Sequence, residues 1–62
     1  MDVMNKFLVG ANAGTPPLIL IQRAASTLTP DDAILLAAWL VALAEPQATV
    51  KFNDVRKAVE GT

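Results

Sequence analysis

Between Asp32 and Glu45 the sequence holds twelve consecutive apolar residues, AILLAAWLVALA, and this run constrains the fold more than any other feature. A membrane-spanning helix needs about 20 apolar residues to cross a hydrocarbon core of about 30 Å, whereas twelve helical residues rise only about 18 Å. A helix that lies on a membrane surface needs a cationic polar face, which the run lacks. We therefore expect no membrane span and a helix that protein covers on several sides.

The residues that flank the run predict the two ends of this helix. Thr29 is a suitable N-cap because its hydroxyl can accept a backbone N–H of the first turn. Pro30 follows at the first helical position, where its missing N–H costs nothing. The two aspartates after it favour the positive end of the helix dipole, so they need no metal to explain them. Pro46 restricts the residue before it, so the sequence predicts a central apolar helix over residues 30–45.

A second helix is predicted near the C-terminus, over residues 51–60. Phe52, Val55 and Val59 fall on one stripe at helical spacing. Gly61 is a favourable residue for the C-terminal end. Since the linker after the central helix is short, we expect the two helices to form a helical hairpin.

The N-terminal part of the chain, residues 3–23, contains two short apolar runs, KFLV and LILI, on either side of GANAGTPP. Apolar runs separated by a loop rich in Gly, Asn and Pro are typical of a β-hairpin. The alternative is helical, with Thr15 capping a helix that begins at Pro16. The sequence thus predicts one small α+β domain over residues 1–62, an N-terminal β-hairpin packed on a C-terminal helical hairpin. The alternative fold is a small all-α bundle.

Composition excludes most chemistry for this chain of 62 residues. The sequence has no cysteine and no histidine, so disulfides, thiolate metal sites and the commonest general base are absent. We expect no enzyme, no catalytic or metal-binding residue and no cofactor. The net charge of −1 lacks the basic footprint of a nucleic-acid binder, so we expect no nucleic-acid partner. The N-terminus does not resemble a secretory signal, so we expect a cytoplasmic location.

The central helix has a bulky side and a smooth side when its residues are placed at about 100° per step. The leucines and Trp39 crowd the bulky side, which should build the domain's own core. The smooth side is mostly alanine, and a domain of this size is too small to surround the whole helix. Because monomers generally avoid exposed apolar patches, we predict a homodimer or higher oligomer. The predicted self-association residues are Ile34, Ala37, Ala38, Val41 and Ala44.

Four further residues are candidates for contact with a different partner: Trp39, Arg23, Arg56 and Lys57. Trp39 is a candidate because tryptophan is over-represented at interface hot spots, although a single tryptophan among leucines is also typical of a core. The basic residues fit a solvated face equally well. Among them Arg56 is favoured, because a guanidinium binds a carboxylate or phosphate through two parallel hydrogen bonds.

The stretch LTPDDAILLAAWLVALAEP resembles a segment that recurs in short bacteriophage-encoded proteins. The shared features are the cap region 28–32, the segment 37–44, Phe52 and Thr62, and the resemblance that they mark extends over about half of the chain. Leu35 departs from the pattern, since a polar residue is common there. The resemblance implies a phage origin and a protein that binds host machinery, in the host cytoplasm.

Three function hypotheses follow from these features. The first is a non-enzymatic, phage-encoded interaction module that binds a host bacterial protein and inhibits or redirects it. The second is a structural or assembly protein whose self-association is itself the function. The third is an oligomer that sequesters a small ligand between subunits.

Overall fold

The fold is α+β, as the sequence predicts, and a two-stranded β-hairpin packs against the helical part of the chain. The computed structural model describes residues 3–15, 17–23 and 25–62. Its elements, in chain order, are strands β1 (Val9–Ala11) and β2 (Ile19–Ile21), helix α1 (Pro30–Ala44), a 3₁₀ turn (Glu45–Gln47) and helix α2 (Phe52–Glu60). The helix predicted from Pro16 would begin outside the described residues, and β2 occupies what would be its body.

The hairpin is antiparallel; β2 lies within the run LILI, whereas β1 contains only Val9 of the run KFLV and continues into Gly10 and Ala11. The three residue pairs of the ladder are Val9–Ile21, Gly10–Leu20 and Ala11–Ile19. Successive side chains point to opposite faces of a strand, so Val9 and Leu20 lie on opposite sides. Val9 is 5% exposed and β1 contacts α1, whereas Leu20 is exposed on the outer side. The hairpin therefore covers α1 with one face only.

A single side chain organises the loop between the strands. The Asn12 carboxamide oxygen accepts hydrogen bonds from the backbone N–H of Gly14 at 3.1 Å and of Leu18 at 2.9 Å. The backbone N–H of Asn12 donates to the Leu18 carbonyl at 3.0 Å. These bonds satisfy backbone groups that the loop would otherwise leave to water. Gly10 and Ala11 of the glycine-containing segment thus belong to β1, and the described residues that follow them form the hairpin loop.

Helix α1 begins as predicted and ends one residue early. The Thr29 hydroxyl accepts from the Asp32 backbone N–H at 3.1 Å, and Pro30 is the first helical residue. The last α-helical residue is Ala44, because Glu45 already belongs to the 3₁₀ turn that contains Pro46. The Glu45 carboxylate accepts from the backbone N–H of Phe52 at 2.8 Å and so caps α2. Helix α2 accordingly starts one residue later than predicted.

The best-buried side chains of the described residues lie in and before β1, and not in α1. Phe7 and Val9 are 7% and 5% exposed, and no residue of α1 is fully buried. The bulky side of α1 is half-buried, with Trp39 among its residues. This side is the one that the sequence assigns to the core, but its burial is incomplete. Every residue of α2 is exposed, so its apolar stripe is open to solvent.

Within the described part of the chain, no helix has both the length and the apolar character required to cross a membrane.

Candidate protein interface

An apolar groove runs along α1, and its floor is a stripe of three residues, Ile34, Ala38 and Ala42. Their spacing of four residues places them on one face of the helix. All three are exposed, and Ile34 is 72% exposed. An isoleucine side chain normally loses most of its solvent exposure on folding. The stripe is therefore a surface that the fold leaves open.

The two sides of the stripe are walled by different parts of the chain. On one side lies α2, which contributes Phe52 and Arg56 and borders with α1 an open depression of about 530 Å³. On the other side lies the N-terminal segment, where Val3 lines a shallow depression together with Ala38, and Met4 lines another together with Ile34. We call this surface the α1 groove. It is lined on α1 by Ile34, Ala37, Ala38, Val41 and Ala42, and on its walls by Val3, Met4, Phe52 and Arg56.

Charged groups flank the α1 groove, while its floor carries none. Arg56 pairs with Glu60 on the same helix, with Nε and Oε2 3.3 Å apart. Near the other end of the groove the Lys6 ammonium lies 2.9 Å from an Asp32 carboxylate oxygen. Both ion pairs are exposed, so they contribute little to folding. An apolar floor with polar ends is the usual arrangement of a protein–protein contact surface.

The whole chain exposes more surface than its size requires. A folded monomer of 6.5 kDa has an accessible surface of about 3,800 Å². The chain exposes 5070 Å², an excess of about 1,200 Å². Its radius of gyration is 12.6 Å, against about 10.6 Å for a compact domain of this length. The fold is therefore open, and apolar residues contribute much of the exposed area.

Four of the five residues that the sequence assigns to self-association line the α1 groove: Ile34, Ala37, Ala38 and Val41. The fifth, Ala44, lies nearer the end of α1 and lines two other depressions, one towards α2 and one towards the hairpin. Ala42 takes its place in the floor. An ideal helical projection puts both alanines on the smooth side, so the sequence alone does not separate them.

The four candidate partner-binding residues do not form one site. Arg56 lines the α1 groove, and the half-buried Trp39 lines the shallow depression that Val3 and Ala38 share. Arg23 is exposed at the end of the hairpin, where its backbone N–H donates to the Phe7 carbonyl at 3.0 Å. Lys57 is exposed on α2 and is not among the lining residues of the groove.

Sequence reasoning missed two contributors to this site. Phe52 is predicted only as part of the apolar stripe of α2, yet it is the main apolar side chain on one wall of the α1 groove. Asn5 fixes the strand that supports α1, since its carboxamide bonds both backbone groups of Val9 at 2.9 Å. An asparagine shortly before a strand is only a weak sequence signal that its side chain bonds to the strand backbone.

In the described ranges, no group of three or more Asp, Glu, His or Cys residues is placed to hold a metal ion. No family model, characterised protein or solved structure matches this chain. The geometry of the α1 groove is therefore the basis for any functional proposal.

Proposed function

We propose that this chain is a small non-enzymatic interaction module that binds another protein through the α1 groove. The observation that carries the proposal is the exposed stripe of Ile34, Ala38 and Ala42, which lies between the wall formed by α2 and the wall formed by the N-terminal segment. Contiguous exposed apolar surface of this kind marks interaction sites in soluble proteins. The small alanine side chains allow the backbone of a partner helix to approach closely, as ridge-into-groove packing requires.

The walls of the α1 groove suggest what a partner would present. Phe52 offers an exposed aromatic face, and aromatic residues are over-represented among the residues that dominate binding energy. The contact of Arg56 with Glu60 uses its Nε atom, and a carboxylate on the partner could replace that glutamate. The expected partner segment is an amphipathic helix with small or aliphatic residues on one face and an acidic residue at its edge.

The resemblance to short phage-encoded proteins supplies the class of partner. We propose a phage origin and, as the target, a host bacterial protein that is inhibited or redirected in the host cytoplasm. A binding role suits a chain without histidine or cysteine, since inhibition requires only that a surface be occupied.

An affinity capture with matched variants tests this function. Wild-type protein, Ala38→Arg and Ala33→Arg are immobilised and exposed to bacterial lysate. Ala33 is exposed on the same helix and lies outside the groove lining, so it is the matched control. We expect one host protein to be retained by wild type and Ala33→Arg and lost with Ala38→Arg, and to bind the same way once purified. Retention of nothing, or equal retention by all three, would contradict the proposal.

A second candidate function is self-association as an end in itself, in a structural or assembly protein. The excess exposed surface favours this candidate, because association with like chains would cover it. A ligand-sequestering oligomer receives less support from the site. Small-molecule pockets place a few polar groups to orient the ligand, and the floor of the α1 groove has none.

A further inference from the structure

We infer that a second copy of this chain occupies the α1 groove in the isolated protein, so that two α1 helices cross beside Ala38 on a two-fold axis. The inference rests on the proposed function in one respect, since it takes the same groove as the docking surface. It goes further by naming the protein that fills the groove when no other partner is present.

The exposed area is of the size that a dimer would cover. A standard protein–protein interface buries about 800 Å² on each partner. The excess surface of the whole chain over a compact monomer is about 1,200 Å², and the exposed floor of the α1 groove is one part of it that a second copy would cover. Association is also the remaining way to complete a small core, because the chain has no cysteine for a disulfide.

The floor of the α1 groove is sterically complementary to itself. A two-fold axis that passes beside Ala38 and runs roughly perpendicular to α1 places the two α1 helices antiparallel in projection, and residues equally far from Ala38 then face each other. Ile34 of one copy therefore meets Ala42 of the other, so each large side chain is placed against a small one. The spacing of four residues forms a ridge of the kind that packs at a crossing angle of about −50°. The alanines at the crossing point permit a short distance between the helix axes.

The charge pattern does not oppose this arrangement. An isologous contact brings each surface patch against its own copy, so a patch of one sign would repel itself. The α1 groove is flanked at one end by Lys6 with Asp31 and Asp32 and elsewhere by Arg56 with Glu60, so both signs of charge border it. The net charge of the chain is −1, so long-range repulsion between two copies is weak.

Sedimentation of wild-type protein over a dilution series, from the high micromolar to the nanomolar range, is the first test. We expect a monomer–dimer equilibrium in which the variant Ala38→Arg weakens association at least about 100-fold, because it buries an unpaired charge at the centre of the contact. Ala33→Arg should associate as wild type does. Circular dichroism of both variants checks that α1 and α2 remain helical.

A covalent test does not depend on the fold tolerating arginine. Since the chain has no cysteine, Ala38→Cys introduces a single thiol beside the two-fold axis. Two such thiols can form a disulfide only if their Cα atoms lie within about 7 Å of each other. Mild oxidation of dilute protein should link Ala38→Cys into dimers at least about tenfold faster than Ala33→Cys, and denaturant should abolish the difference.

The outcomes separate this inference from the proposed function. Wild-type protein that stays monomeric at every concentration overturns the inference, and lysate capture still decides the proposed function. A dimer that Ala38→Arg does not weaken also overturns it, since the contact would then use another surface, such as the exposed Leu18 and Leu20 of the hairpin. A dimer that Ala38→Arg disrupts supports the inference even if no host protein is captured.

Discussion

The variant Asn5→Ala removes two hydrogen bonds to the backbone of Val9, on the edge of β1 that does not pair with β2. The backbone bonds from Gln22 to Leu8 and from Asn12 to Leu18 fix the alternation of the ladder. In that alternation Val9 belongs to a non-hydrogen-bonded pair, so its N–H and C=O point away from β2. The Asn5 carboxamide donates to this carbonyl and accepts from this N–H, each at 2.9 Å.

The expected loss follows from the number and burial of these bonds. A typical hydrogen bond contributes about 1 kcal/mol to stability, and both bonds of Asn5 are partly buried, so we expect a loss of about 2 kcal/mol. A domain of 62 residues has a total stability of about 3–9 kcal/mol. The substitution should therefore lower the melting temperature by about 8–16 °C.

The variant Asn5→Asp should make the free energy of unfolding depend on pH, and this dependence tests the bond that Asn5 donates to the Val9 carbonyl. The carboxylate still accepts from the Val9 N–H, but it repels the Val9 carbonyl oxygen unless it is protonated and donates. Folding should thus raise the pKa of the introduced carboxyl above its value in the unfolded chain. Stability is then fully present below the unfolded pKa and is lost as pH rises through the folded pKa, so the variant should be closest to wild type in acid.

Urea unfolding followed by the fluorescence of Trp39, the single tryptophan, measures both effects. All proteins are compared at one concentration, because self-association makes stability concentration-dependent. Subtracting the wild-type curve at each pH removes the titration of the native carboxylates. A loss below about 0.5 kcal/mol for Asn5→Ala, or a pH-independent difference for Asn5→Asp, would refute the reasoning about this edge.

Three further substitutions test the supports of α1 and β1 in the same unfolding assay. Leu8 has a φ of 51°, a backbone conformation that residues with β-branched side chains rarely adopt and asparagine tolerates. The variant Leu8→Asn should therefore be more stable than Leu8→Ile by about 1 kcal/mol. Equal stabilities of the two variants would argue against this conformation. Thr29→Ala loses the cap bond to the Asp32 N–H and should cost about 1 kcal/mol, whereas Thr29→Ser should cost less than half of that if the hydroxyl is the cause. Lys6→Ala should lower the free energy of unfolding by less than about 1 kcal/mol and should remove part of its dependence on salt concentration. An unchanged salt dependence would mean that the ion pair with Asp32 contributes nothing to stability.

The sequence predicts α1 well because its ends are set by local chemistry. The hydroxyl of Thr29, the ring of Pro30 and the restriction imposed by Pro46 act within one turn of the helix, so no other part of the chain is needed to place them. The hairpin is predicted in type but not in extent. Its ladder begins only at Val9, after a turn in which Leu8 takes a left-handed conformation that propensity does not anticipate.

The groove is harder to predict because it depends on where separate elements cross. The smooth side of α1 follows from helical periodicity, which is why Ala38 is a predicted contact residue. Whether Ala42 or Ala44 is exposed depends on the positions of the hairpin and of α2, and the position of α2 is set partly by the bond from the Phe52 N–H to Glu45 across the turn. A bond between residues seven apart in a linker has no periodic pattern in the sequence.

The two proposals together predict that self-association and partner binding exclude each other, because both need the stripe centred on Ala38. The binding-competent species is then the monomer, and the apparent dissociation constant for the host partner equals the intrinsic one divided by the monomer fraction. When a tenth of the chains are monomeric, apparent affinity is about tenfold weaker. Titrating captured partner against increasing total concentrations of this chain measures the effect. An affinity that does not change with concentration, in a chain shown to dimerise, would mean that the partner binds a surface other than the α1 groove.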